Sequence, residues 1–147
     1  MRIFLTLGFI CLLFTVSSCE VKPVPINFGT DTCHFCKMTI VDQQHAAQYV
    51  TKKGKQFKFD AVECLLNDLS ENGMNHLALL LVSNYSNPGE MTDAKEATYL
   101  ISVEIKSPMG ANLSSFGDQA EAESKFNVHG GKLYSWEEML RKYQVAK

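Results

Sequence analysis

Two apolar–polar runs, Ala47-Gln48-Tyr49-Val50-Thr51 and Gln56-Phe57-Lys58-Phe59, flank the short stretch Lys52-Lys53-Gly54-Lys55. Alternation with a period of two places every second side chain on one face of a strand. Glycine in the connection supplies the backbone freedom of a tight turn, so the segment is constrained to an antiparallel hairpin. Asp60 follows as the expected cap of a helix over 61–70, with Glu63 at the capping-box position and Val62, Leu65, Leu66 and Leu69 as a stripe at helical spacing. Asn72-Gly73 stops that helix. Leu77-Ala78-Leu79-Leu80-Leu81-Val82 then reads as a strand apolar on both faces. The order is ββαβ, preceded by a β-like stretch, Met38-Thr39-Ile40-Val41.

Ser83-Asn84-Tyr85-Ser86-Asn87-Pro88-Gly89 is a turn-rich connection and the natural boundary between two halves. Beyond it, 97–105 is strand-like and Ser107-Pro108-Met109-Gly110 breaks the run. Residues 123–128 and Lys132-Leu133-Tyr134 read as a further pair of runs about a Gly130-Gly131 turn, and Ser135 caps a helix from Trp136 to about Tyr143. The expected fold is therefore α+β, two small ββαβ units packed together, over 29–83 and 97–147. Aligning the helix starts pairs Asp60 with Ser135 and Cys64 with Met139.

The amino-terminal eighteen residues place Arg2 before an apolar run that is short for a membrane span, which reads as a cleaved export signal over 1–18. Val16-Ser17-Ser18-Cys19 resembles a bacterial lipobox, with Cys19 diacylated as the new amino terminus and Glu20 after it favouring the outer membrane. Residues 19–28 are then a lipidated end and a tether, leaving a domain over 29–147 on the periplasmic side. The whole chain has a net charge of −2. No basic run exceeds Lys52-Lys53, which excludes nucleic acid as a natural partner. With Cys11 removed and Cys19 acylated, Cys33, Cys36 and Cys64 remain, an odd number for a disulfide framework.

The chemistry concentrates in Asp31-Thr32-Cys33-His34-Phe35-Cys36-Lys37-Met38. Two thiols three positions apart can close on one metal ion, and a thioether follows two residues later. Thioether sulfur is a poor zinc ligand and a good one for Cu(I), so Cys33, Cys36 and Met38 are the expected Cu(I) ligands. His34, His45, Cys64 and Met109 are further candidates to complete the site. Structural zinc would need a fourth ligand. A Cys33–Cys36 disulfide is the default fate of a free pair outside the cytoplasm. The enzymatic alternative is a thiol–disulfide oxidoreductase using Cys33 and Cys36. It normally places its first cysteine at a helix start, whereas the residues after this pair favour a strand.

Cys33-x-x-Cys36-x-Met38 with Ile40, then Phe59-Asp60-x-x-Glu63-Cys64, resembles the first half of the NosL family. Pro108-Met109-Gly110, Phe116, Ala122, Phe126, Gly130-Gly131 and Trp136 resemble the second half, so the similarity covers nearly the whole mature chain. The pattern departs at Lys37, where relatives often carry glycine. Thr98-Tyr99 stands where a tryptophan is common. The resemblance implies two ββαβ units and an envelope lipoprotein that binds copper and is not an enzyme. It also implies that the copper goes to apo nitrous oxide reductase, or to another envelope copper protein.

Overall fold

The computed structural model describes residues 20–146; the stretch expected as an export signal, with Cys11, and Cys19 lie outside the described residues. The hairpin expected from the turn chemistry is present. Strand β1 (Ala47–Thr51) pairs antiparallel with β2 (Gln56–Phe59), in the register Ala47 to Phe59 and Val50 to Gln56. Helix α1 (Val62–Asn72) follows, and β3 (Leu77–Ser83) returns antiparallel along the other side of β1. The boundary segment then folds back as β4 (Met91–Asp93) against β3, giving a sheet of order β2-β1-β3-β4.

The apolar stripe of α1 is buried as its spacing requires, with Val62, Leu65, Leu66 and Leu69 wholly inaccessible. Its start differs from expectation. Ala61 is the N-cap and no side chain caps it. Asp60 is instead buried, its Oδ1 lacks a partner, and burial raises its pKa. Glu63 likewise turns away from the helix end and accepts from the Ser107 hydroxyl of the second unit.

β3 is apolar on both faces because both are covered. Leu80 and Val82 face the α1 side, while Leu81 shares an apolar groove with Pro23, Pro25, Ile26 and Phe28. The stretch expected as a tether thus runs over the outer face of the first sheet. The Val24 amide donates to Gln56 Oε1 (3.1 Å), Gln56 Nε2 to the Lys22 carbonyl (3.0 Å), and Lys58 Nζ to the Pro25 carbonyl (2.7 Å).

The second unit repeats the topology with different materials. Strand β5 (Thr98–Ile101) is central between β6 (Leu113–Phe116) and β7 (Lys132–Tyr134), and α2 (Gln119–His129) connects β6 to β7. Residues 123–128, read from sequence as an extended run, are helical, and β6 lies in a stretch without an apolar pattern. The Asp118 carboxylate caps α2 by accepting from the Ala120 amide (2.7 Å). Helix α3 (Trp136–Lys142) is an addition after the repeat, and it carries the expected Ser135–Glu138 capping box. By topology α1 therefore corresponds to α2. Counting back to Phe59 and Phe116 places Glu121, not Met139, at the position of Cys64. Met139 is plain core, wholly buried beside Leu140 and Trp136.

The units share one core in which Cys33, Phe59, Leu65 and Leu69 join Tyr99, Leu113 and Trp136. Among the described residues no helix is long and apolar enough to cross a membrane.

Candidate metal centre

The loop carrying the first two thiols is a miniature hairpin rather than the lead-in to a strand. Thr32 bridges Thr39, the Ile40 amide donates to the Asp31 carbonyl (2.9 Å), and the Cys33 amide donates to the Met38 carbonyl (2.8 Å). Within it the Lys37 amide returns to the Cys33 carbonyl (3.1 Å), which forces Lys37 to a φ of 67°. This left-handed conformation explains the glycine of the family pattern at this position, because a Cβ is disfavoured there. Lys37→Gly is accordingly expected to stabilise the protein by about 0.5–1 kcal/mol, measured by urea unfolding, while Lys37→Val destabilises it. The His34 amide donates to the Lys58 carbonyl (2.8 Å), tying the loop to the end of β2.

That tie brings the loop over the first turn of α1. There the Sγ atoms of Cys33, Cys36 and Cys64 lie within 4.8 Å of one another, and all three cysteines are free. A trigonal ion with metal–sulfur bonds of about 2.3 Å needs its sulfurs about 4 Å apart, so small adjustments suffice. Cys33 and Cys64 are wholly buried and Cys36 is half-buried, so solvent reaches the cluster from the Cys36 side. No imidazole or carboxylate joins the trio among the described residues.

The three thiols are shifted in opposite directions. The Cys64 thiol donates to Cys33, and the amides of Asp60 and Cys36 and the Cys36 thiol also point at it. Together they overcome its burial and pull its pKa down to about 5. Cys64 is pushed up, first because its proton is held by Cys33, then by burial and by the neighbouring charge. Cys36 is raised mainly by burial, partly opposed by the Met38 amide. The result is one thiolate solvated by two thiols at the positive end of a helix. The surroundings add more anionic character. Asp60 is raised by burial and by the charges of Cys33 and Asp42. Tyr143 is pushed up to about 12 by burial, with Glu63 and Cys64 nearby. A buried sulfur whose pKa is lowered, beside the Asp60 carboxyl, favours a cation.

The other sequence candidates are distributed unevenly. Met38 is 54% exposed, two residues beyond Cys36, and its backbone helps to oppose the rise in the Cys36 pKa. Met109 is also exposed, two residues from the Ser107 that meets Glu63. His45 is committed elsewhere. Its Nδ1 meets Asp42 (2.8 Å) and its Nε2 meets Ser114 (3.1 Å), so it links the two units. His34 packs edge-on against Phe57 (4.6 Å) and faces Asp68 at 3.8 Å. Cys64 is the residue that sequence reasoning left between core and ligand. Its signal was its place at the start of α1, five residues beyond the end of β2.

Known proteins share both the family pattern and the fold of this chain. The NosL family model matches residues 23–144. The copper-binding lipoprotein NosL of Stutzerimonas stutzeri is 30% identical over 149 aligned positions, spanning 91% of this chain and 78% of that protein. The crystal structure of the copper chaperone NosL from Shewanella denitrificans superposes with a TM-score of 0.70 at 23% identity. It covers 81% of this chain and 96% of the other, and so establishes the shared fold. With the family match spanning both ββαβ units and the thiol loop, this chain belongs to the NosL family.

Proposed function

We propose that this protein is a lipid-anchored Cu(I) carrier of the cell envelope, and that Cys33, Cys36 and Cys64 hold the ion with Met38 closing over it from the rim. The observation that carries the reading is the convergence of three thiols at a half-open site. Soft sulfur donors select Cu(I), and three of them without a fourth fall short of a closed zinc cage. Relatives named as a copper-binding lipoprotein and a copper chaperone support it. The acceptor implied by the family resemblance is apo nitrous oxide reductase. Anchoring through Cys19, with Glu20 favouring the outer membrane, follows the lipobox and the lipoprotein relative.

The half-open geometry suits delivery. An acceptor's soft ligand can approach past Cys36 and displace Met38 before the buried sulfurs let go, so the ion is never free. The same geometry weighs against an oxidoreductase. Such an enzyme needs one thiol that is both accessible and ionised, whereas here the ionised Cys33 is buried and the accessible Cys36 is raised.

The test is an anaerobic Cu(I) titration of the reduced, detergent-solubilised chain against a competing chelator, with Zn(II) in parallel. One tightly held Cu(I) per chain and weaker zinc binding are expected. Loss of tight Cu(I) binding together with thiol-dependent disulfide reduction would transfer the assignment to the oxidoreductase.

A further inference from the structure

The β1–β2 turn concentrates positive charge on a chain of net charge −2: Lys52, Lys53 and Lys55 are all exposed there. Lys52 Nζ donates to the Asn75 carbonyl (2.7 Å) and Lys55 Nζ stands 4.6 Å over the Phe57 ring, contacts that orient the ammonium groups without neutralising them. None of the three pairs with a carboxylate among the described residues. The segment that follows Cys19 lies against this turn. Glu20, Val21 and Lys22 line one groove with Lys52, Lys53 and Gly54, and Gln56 holds Lys22 and Val24 in place. Cys19 is the residue immediately before Glu20.

We propose that this turn is a membrane-facing surface, its lysines engaging the phosphates of anionic phospholipid headgroups and setting the orientation of the anchored domain. The proposal rests on the lipidation of Cys19. Acyl chains there would leave the protein within a residue of the groove, so the anchor and the lysines would meet the same patch of bilayer. An acyl anchor alone is a single pivot about which the domain can roll. Lysines beside the pivot supply a second attachment, each favouring an anionic surface about fivefold, or about 100-fold for three. The other fixed point is the thiol cluster. Strand β2 leads from the turn to Phe59, and the next amide, that of Asp60, points at the Cys33 sulfur. The six residue-to-residue steps from Gly54 to Asp60 span about 20 Å at about 3.3 Å each. With the turn on the headgroups, the cluster is held at the far end of the strand, off the bilayer, where an acceptor can reach it.

The experiment places the full lipidated chain in nanodiscs doped with a gadolinium-headgroup lipid. One set contains about a third phosphatidylglycerol and the other is purely zwitterionic. Amide signals of residues 52–55 are expected to broaden strongly in the anionic discs and much less in the zwitterionic ones or at high salt, while those of 33–38 stay sharp in both. Lys52→Glu/Lys53→Glu/Lys55→Glu should abolish the difference, yet remain disc-bound and keep its Cu(I) stoichiometry in detergent. Equal broadening in the two lipids, or broadening centred on 33–38, overturns the orientation. A wild-type chain that does not stay with zwitterionic discs removes the anchor and the proposal with it. Neither failure touches Cu(I) binding, which the detergent titration reads separately.

Discussion

Cys64→Ser is expected to weaken Cu(I) binding by at least about 100-fold, as much as Cys33→Ser or Cys36→Ser. Altering a residue that merely orients a metal ligand already costs 10–100-fold, so loss of a ligand sets that range as the floor. Cys64 is distant in sequence from the paired thiols, and a buried lone cysteine is ordinarily a small hydrophobe. Here its sulfur lies within 4.8 Å of both others. Serine is nearly isosteric and keeps a hydroxyl that can donate to Cys33, so folding should survive. Met38→Leu, at the exposed rim, is expected to give a smaller loss and a faster transfer to chelators. The measurement is competitive titration of the reduced variants. Unchanged affinity in Cys64→Ser would reduce the site to the Cys33–Cys36 pair.

Cu(I) affinity should also rise about 100-fold per pH unit between roughly pH 6 and 8. The slope of log affinity against pH equals the number of protons released on binding. Cys33 is already ionised above about pH 5, while Cys36 and Cys64 are raised and keep their protons. Three thiolate ligands therefore cost two protons per ion. Because protons are released, affinity increases with pH. It falls still more steeply below about pH 5, where Cys33 also takes up its proton. Titrations at three pH values, with proton release followed in weak buffer, check this. A tenfold change per unit would mean that only one further thiol ionises, and Cys64 would then be outside the site.

The first unit was legible because its patterns are local. Hairpin, helical stripe and apolar strand each occupy a continuous stretch, and each side chain's burial follows from its own neighbours. The second unit was not. In α2 only Ala122 is buried, so no stripe marks the helix, and its remaining signal was Asp118 at the cap. In β6 the central residues are Ser114 and Ser115, both wholly buried. Ser114 meets His45, and Ser115 donates to the Ser83 carbonyl (2.7 Å), so the partners that make serine acceptable there come from the first unit. Asp60 and Glu63 were misread as capping residues for a related reason. The spacing was right for a cap, but Ala61 takes the N-cap position, the Asp60 carboxylate is buried beside it, and the Ser107 hydroxyl donates to Glu63.

What the sequence by itself determined is the α+β architecture, the family, and a loop in which two thiols and a thioether share a few residues, since covalent spacing keeps such groups close in any fold. The tertiary structure alone decided the rest of the site. Packing of α1 beneath the loop delivered Cys64, and its thiol, with amides from two segments, lowers the pKa of Cys33. The two units, in docking together, committed His45 to holding them. These outcomes depend on distances between segments far apart in the chain, which no local pattern encodes.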